Sequence, residues 1–223
     1  RFAVGTFDCM LPLRNPVFLA KAVSTLDCIA AGRLLFGIAE GASLREFTAL
    51  GVQDHFEHRT EITNEWLAIC YELWREDDNP STFEGRFFSF GYIGAYPKPV
   101  QKPHPPIYVQ DDGPSALTRL ATHGSGLILN VSTPSEIAAA VSQAREACAT
   151  VKRDHTEIEV CAPLPLDSTQ DAAIALDAIA AQREAGVTHH LFEIVTDSHA
   201  SHSSNTLDDW LHWLVTEVLS PLR

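Results

Sequence analysis

An α/β fold built on a parallel sheet is predicted for this chain by three features of its sequence. Short apolar runs alternate with amphipathic, capped stretches through six strand-then-helix units, the pattern of parallel strands joined by right-handed helical crossovers. The stretch from Tyr96 to Val109 gathers five of the chain's 13 prolines, so no helix or central strand can form before Pro106 and an extended, fixed crossing is expected. No G-x-G-x-x-G follows any strand, which argues against a dinucleotide-binding sheet. Spacing alone does not separate a six-stranded doubly wound sheet from part of a barrel.

In chain order, residues 2–7 read as a buried strand. Asn15 caps a helix with Pro16 at its first position; Leu19, Val23, Leu26 and Ala30 line one face, and Gly32 ends it. A second buried strand, 34–38, runs into Glu40-Gly41. Ser43-Leu44-Arg45-Glu46 fits a capping box and starts a short helix. A long helix over about 55–76 carries Ile62, Trp66, Ile69, Cys70 and Leu73 at helical spacing. Residues 83–90, with Glu84-Gly85-Arg86 inside, read as a small hairpin or loop excursion.

After the prolines, Ile107-Tyr108-Val109 reads as a short buried parallel strand. Gly113-Pro114 then opens a helix that ends at Gly124, with Pro114 at the first helical position. Such a junction leaves backbone N–H groups suited to an anionic group such as a phosphate. Residues 127–131 form the next strand. Thr133-Pro134-Ser135-Glu136 is a capping box for a helix with Ile137, Val141, Ala144 and Cys148 on one face. A strand at 158–162, a helix at 171–184, a strand at 188–195, a polar loop at 198–204 and a last helix at about 207–219 complete the pattern.

The balance of 16 Lys and Arg against 29 Asp and Glu, a formal charge of −13, argues against nucleic acid or an anionic membrane as partner. No apolar run approaches a membrane span and no basic-then-apolar signal segment opens the chain, so a cytoplasmic location is expected. Its 223 residues suffice for one large domain with its own core. Because Arg1 leads the chain and Met10 is its sole methionine, it is expected to start inside a longer reading frame or after processing. The closing Pro221-Leu222-Arg223 reads as a natural C-terminus.

Cys9, Cys28, Cys70, Cys148 and Cys161 sit in or beside apolar runs with no C-x-x-C pair, which predicts buried reduced thiols. The histidine pairs His55/His58, His189/His190 and His199/His202 lack H-E-x-x-H spacing or a matching carboxylate, so no metal is assigned. His104 belongs to the proline stretch and is expected to fix that crossing.

Several motifs in order carry a family resemblance. They are Arg14-Asn15-Pro16 with Leu19-Ala20-Lys21, Leu26-Asp27 and Gly32-Arg33-Leu34; Phe36-Gly37-Ile38-Ala39-Glu40-Gly41 with Arg45-Glu46-Phe47 and Leu50-Gly51; and Pro97-Lys98-Pro99-Val100-Gln101 with Pro103-His104-Pro105-Pro106-Ile107. Together they cover roughly residues 2–129, with a weaker echo at 218–223. This pattern resembles the bacterial luciferase-like flavin-dependent oxidoreductases. The resemblance implies a (β/α)8 TIM barrel of the luciferase-like type, with one domain over 1–223 that holds strands 3 to 8 and lacks the first two β/α units. It further implies an oxidoreductase, leading to a monooxygenase that uses reduced FMN and O₂ on a small organic substrate. An F420-dependent hydride transferase and a catalytically silent barrel fragment are the alternatives. Family members are commonly dimers, which makes a homodimer the implied assembly.

Barrel sites lie at the C-terminal strand ends, here around 6–9, 39–43, 110–115, 130–132, 162–164 and 196–198. The resemblance implies cofactor contacts at Thr6, Glu40, Gly41, Asp111, Asp112, Gly113 and Ser115, with the phosphate near Asp111, Asp112, Gly113 and Ser115. Three departures stand out. Many FMN-binding members have arginine at Glu40 and small residues at Gln110-Asp111, and the frequent Gly-Asp-Gly reads Gly124-Ser125-Gly126. A phosphate facing Glu40, Asp111 and Asp112 would meet like charge unless those carboxylates point away, and F420 carries phosphate too. Other readings stay open: Glu40 as a solvated carboxylate or partner of Arg45, Asp111 and Asp112 as helix caps, Thr6 as strand packing. The family's usual catalytic histidine comes from the second strand's end, which this chain lacks, so no catalytic residue is named.

Overall fold

The apolar runs become parallel strands in the computed structural model, which describes residues 3–77, 79–110, 113–165, 171–192 and 207–222. Contacts divide the chain into two compact units, Arg1–Ile128 with Ala147–Ile158 and Leu129–Glu146 with Glu159–Arg223.

In the first unit the elements run β1 (Val4–Met10), α1 (Pro16–Ile29), β2 (Leu34–Ala39), α2 (Leu44–Ala49), α3 (Arg59–Trp74), β3 (Ser81–Glu84), β4 (Ser89–Ile93), β5 (Ile107–Gln110), α4 (Pro114–His123) and β6 (Gly126–Ile128). Strands β1, β2, β5 and β6 lie side by side in that order, every pair parallel. The excursion at 83–90 is an antiparallel hairpin of β3 and β4. Phe36, Ile38, Ile107, Val109 and Leu127 are buried in the sheet, and Ile62, Trp66, Ile69, Cys70 and Leu73 are buried on α3, as helical spacing requires.

Local chemistry explains where these elements begin and end. The Asn15 side chain accepts from the backbone N–H groups of Val17 and Phe18, while Pro16 occupies the turn where an N–H would go unused. Ala31 and Gly32 take left-handed φ values of 51° and 71°, and the Gly32 N–H donates to the Asp27 carbonyl to close α1.

Four expectations need correction here. Leu26 is 39% exposed, and the adjacent Asp27 is buried instead. Ser43 precedes α2, but its side chain makes no capping bond. The long helix starts as a 3-10 turn, Gln53–His58, before α3 proper. The proline stretch does not run extended: it bends repeatedly over 100–105, with cis Tyr96–Pro97 and Lys102–Pro103 bonds.

That crossing is pinned from several sides. The buried Asp27 carboxylate accepts from Gln101 backbone N–H and from Gln101 Nε2 at 2.9 and 2.8 Å. Lys98 Nζ donates to the Leu73 carbonyl at 2.9 Å, and Cys28 Sγ lies 3.4 Å from the Lys98 carbonyl. The His104 ring packs against Tyr71 with centroids 4.9 Å apart. Phe36 N–H then takes the Pro106 carbonyl at 2.8 Å, aligning β5 beside β2.

The second unit holds most of α5 (Pro134–Thr150), then β7 (Glu159–Pro163), α6 (Ala172–Glu184), β8 (His189–Leu191) and α7 (Leu207–Trp213). β7 and β8 pair in parallel, with Cys161 opposite His189. Thr133 bonds the Glu136 carboxylate at the head of α5, and Asp171 caps α6 through the Ala173 N–H. Leu164, Ala175, Ile179, Leu214 and Val218 form its apolar cluster. After α7 the chain continues as a π turn, Leu214–Leu219. Residues 193–195 of the expected strand and the polar loop at 198–204 lie outside the described residues.

Four thiols are buried and Cys28 is half-buried; all five are free. Burial pushes the Cys9, Cys70 and Cys148 thiols up, and that of Cys161 up to about 12. Among the described residues no helix is long and apolar enough to cross a membrane.

Candidate functional site at the strand ends

Adjacent parallel strands place their C-terminal ends on one edge. Met10 at the end of β1 pairs with Ala39 at the end of β2, and Val109 near the end of β5 pairs with Ile38. Glu40, Gly41 and the start of α4 at Gly113-Pro114-Ser115 therefore leave the sheet from the same edge. Asp111 and Asp112 lie outside the described residues.

Thr6 is placed differently from expectation. β1 continues to Met10 through a register shift between Thr6 and Cys9, so Thr6 stands opposite Phe36. That is three residues, about 10 Å, short of Ala39. Its hydroxyl donates to the Gly37 carbonyl at 2.8 Å, tying β1 to β2. Gly37 is required there, since a Cβ would collide with the Thr6 carbonyl oxygen. Cys9 and Met10, not Thr6, stand at the end of β1.

Glu40 is buried directly after β2. Its Oε1 meets Arg119 Nη2 at 2.7 Å, with the two side chains 9% and 2% exposed. Its Oε2 accepts from Thr60 Oγ1 at 2.5 Å. Arg119 Nε donates to Asn64 Oδ1 at 2.9 Å. The partner is thus Arg119 on α4 rather than Arg45, and the carboxylate is not solvated. Thr60 and Asn64, one turn apart on α3, complete the set. The Glu40 charge, one of the three that would oppose a phosphate at this edge, is matched by a guanidinium.

Gly41 has φ +84°, and a Cβ there would stand 3.0 Å from the Phe47 ring, so glycine is required twice over. Gly113 is the extended N-cap of α4, and its carbonyl accepts from Leu117 N–H at 3.0 Å. The N-cap glycine has no side chain with which to cap this helix, whose first turn includes Ser115.

Arg119 is the residue that sequence reasoning missed. A signal was present: it stands three residues after Ala116 and beside Leu120, both buried, so a basic side chain sits on the apolar stripe of α4. Such a position demands a buried carboxylate.

In the second unit, Gln182 on α6 donates through Nε2 to the Ser132 and Pro163 carbonyls at 2.8 and 3.1 Å. Its Oε1 faces His190 Nδ1 at 3.0 Å. Burial, with Arg183 and His189 nearby, lowers the His190 pKa and keeps the ring neutral. Among the described residues no group of three or more His, Cys, Asp or Glu converges as metal ligands do.

Parallel strands joined by helices, with their C-terminal ends on one edge, define the α/β barrel class of fold. The family model "Luciferase-like monooxygenase" matches residues 1–212, and the chain belongs to that family. The "F420-dependent glucose-6-phosphate dehydrogenase" of Kineococcus radiotolerans is 35% identical over 130 residues, 57% of this chain and 37% of the relative. The "FMNH(2)-dependent dimethylsulfone monooxygenase" of Pseudomonas putida is 31% identical over 96 residues, 42% of this chain and 26% of the relative. The chain thus spans well under two thirds of the length of these relatives. Among solved structures, the coenzyme F420 dependent tetrahydromethanopterin reductase of Methanopyrus kandleri superposes with a TM-score of 0.78. That match has 15% identity and covers 99% of this chain and 83% of that one, so it bears on the fold, a luciferase-like barrel.

Proposed function

We propose that this chain carries the cofactor-holding strand ends of a flavin-dependent oxidoreductase, within one barrel domain over residues 1–223. The favoured activity is a monooxygenase that uses reduced FMN and O₂ on a small organic substrate. The observation that carries it is the Glu40–Arg119 pair, which balances the carboxylate at the exit of β2 against the helix that opens at Gly113. Backbone N–H groups of the first turn and the Ser115 hydroxyl would hold the phosphate, with Asp111 and Asp112 flanking it. Gly41 and Gly113 lack the Cβ that would keep a ligand from the backbone. Thr6, bonded to Gly37, would stiffen the strand pair beneath the ring. Bound reduced flavin supplies the electrons for oxygen activation, and the buried strand ends exclude water from it. A cytoplasmic homodimer completes the reading.

A second reading, F420-dependent hydride transfer, is favoured by the relative at 35% identity whose name specifies F420. Titrating the protein with FMN and with F420, read by absorbance and fluorescence, decides between them. Saturable FMN binding, weakened about fivefold in Ser115→Ala by loss of one hydrogen bond, is expected. Saturation by F420 alone selects the second reading; saturation by neither makes the chain a silent fragment and defeats both.

A further inference from the structure

Helix α1 carries apolar side chains on two faces. Leu19, Ala20, Val23 and Ala30 are buried against the fold, yet Phe18 and Ile29 are each 75% exposed and Leu26 is 39% exposed. At about 100° per residue, Phe18, Ala22, Thr25 and Ile29 fall within one narrow outer stripe, which Leu26 borders. The single carboxylate of α1, Asp27, is buried, so Lys21 is the only charge that the helix turns outward. Val100 is 52% exposed, and a Cβ added at Gly32 would stand 3.1 Å from its Cγ1, so the patch continues past the end of α1. Outer helix faces are ordinarily charged or polar, and a contiguous apolar patch marks an interaction surface.

We propose that two copies of this chain meet on the outer face of α1, with the two helices antiparallel about a two-fold axis that passes between Val23 and Ser24. Two features select a second copy as the occupant. The first is that the stripe complements itself. This axis sets Phe18 of one copy against Ile29 of the other and Ala22 against Thr25. The small central pairs let the helices approach to about 8 Å, while the large apolar pairs close both ends. The second is charge. At −13 the chain repels its own copies over much of its surface, and the outer face of α1 offers contact without a carboxylate.

The inference deepens the homodimer part of the reading above and rests on that part alone. None of the outward residues of α1 belongs to the cofactor edge. With 14 residues α1 runs about 21 Å. One such seam is smaller than the roughly 800 Å² per partner of a standard interface, so a micromolar dimer is expected.

Sedimentation velocity is run on the full chain, on Phe18→Lys, on Ile29→Glu and on an equimolar mixture of the two variants. Circular dichroism reads folding, and FMN titration reads the cofactor edge separately. The unsubstituted chain is expected to dimerise. Each folded variant alone associates about tenfold or more weakly, because it sets two unmatched charges per dimer in apolar contacts. The mixture recovers association, since lysine then faces glutamate across one end of the seam while Phe18 faces Ile29 across the other. A chain that stays monomeric at about 100 μM, as when another protein or a further segment covers α1, overturns the proposal. So does a dimer that both variants leave unchanged, and so do variants that fail to recombine on mixing. A monomer that binds FMN defeats the interface and leaves the cofactor reading standing; a recombining dimer that binds neither FMN nor F420 does the reverse.

Discussion

Glu40 and Arg119 stand 79 residues apart in the chain and meet at 2.7 Å, one at the exit of β2 and the other midway along α4. The pair locks a strand end to the helix whose N-terminus opens beside it. It also leaves the Glu40 carboxylate neutralised where it is buried.

Breaking this pair from one side strands a buried charge. Arg119→Met is expected to lower stability by roughly 3–5 kcal/mol, measured by urea unfolding. Adding Glu40→Gln should restore part of that, because the remaining side chain is neutral. A single-variant loss below about 1 kcal/mol would mean that the pair behaves as a solvated surface bridge.

The Asp27 carboxylate holds the proline crossing through Gln101. Asp27→Ala should destabilise the fold by roughly 2–3 kcal/mol, since it removes two hydrogen bonds to a buried charged acceptor. The Gln101 amide should lose its hydrogen-exchange protection in the same variant. Unchanged protection would assign the crossing's rigidity to its prolines instead.

Glu65 accepts from the backbone N–H groups of Arg86, Phe87 and Phe88 at 2.9, 2.9 and 2.8 Å, fastening the hairpin tip to α3. Glu65→Ala should make the tip between β3 and β4 a site of rapid proteolysis. Global stability should fall by only about 1–2 kcal/mol, because the freed N–H groups reach water. Equal cleavage rates in both proteins would count against the anchor.

Thiol titration offers a pH test. Burial raises the Cys161 pKa from the ordinary 9.0 to about 12, so its thiol stays protonated in the folded state while the unfolded chain ionises. A folded pKa above the unfolded one gives stability that is complete below pH 9.0 and is lost as pH rises toward about 12. Unfolding midpoints should therefore fall across that alkaline window. At pH 8 the half-buried Cys28 should react with a thiol reagent before Cys9, Cys70, Cys148 or Cys161.

Local signals marked several helix starts and one buried face, though the Ser43 capping box and the extended proline crossing did not hold. Asn15-Pro16 and Thr133 with Glu136 announced helix starts because a cap needs only the next three residues. Apolar spacing marked the buried face of α3 because that face repeats every 3.6 residues. The errors fall where the period breaks. The register shift in β1 carries the strand to Met10 and leaves Thr6 mid-strand. The stripe of α1 turns by one residue, so Asp27 is buried in place of Leu26.

By itself, then, the order of residues determined the alternation of strands and helices, the parallel pairing it implies and the family motifs, since each of these is written in short-range pattern. Only the tertiary structure decided that Glu40 answers to Arg119 and that Asp27 holds Gln101. Those pairings join side chains distant in sequence, and no local period encodes which buried charge will find which partner once the helices have packed.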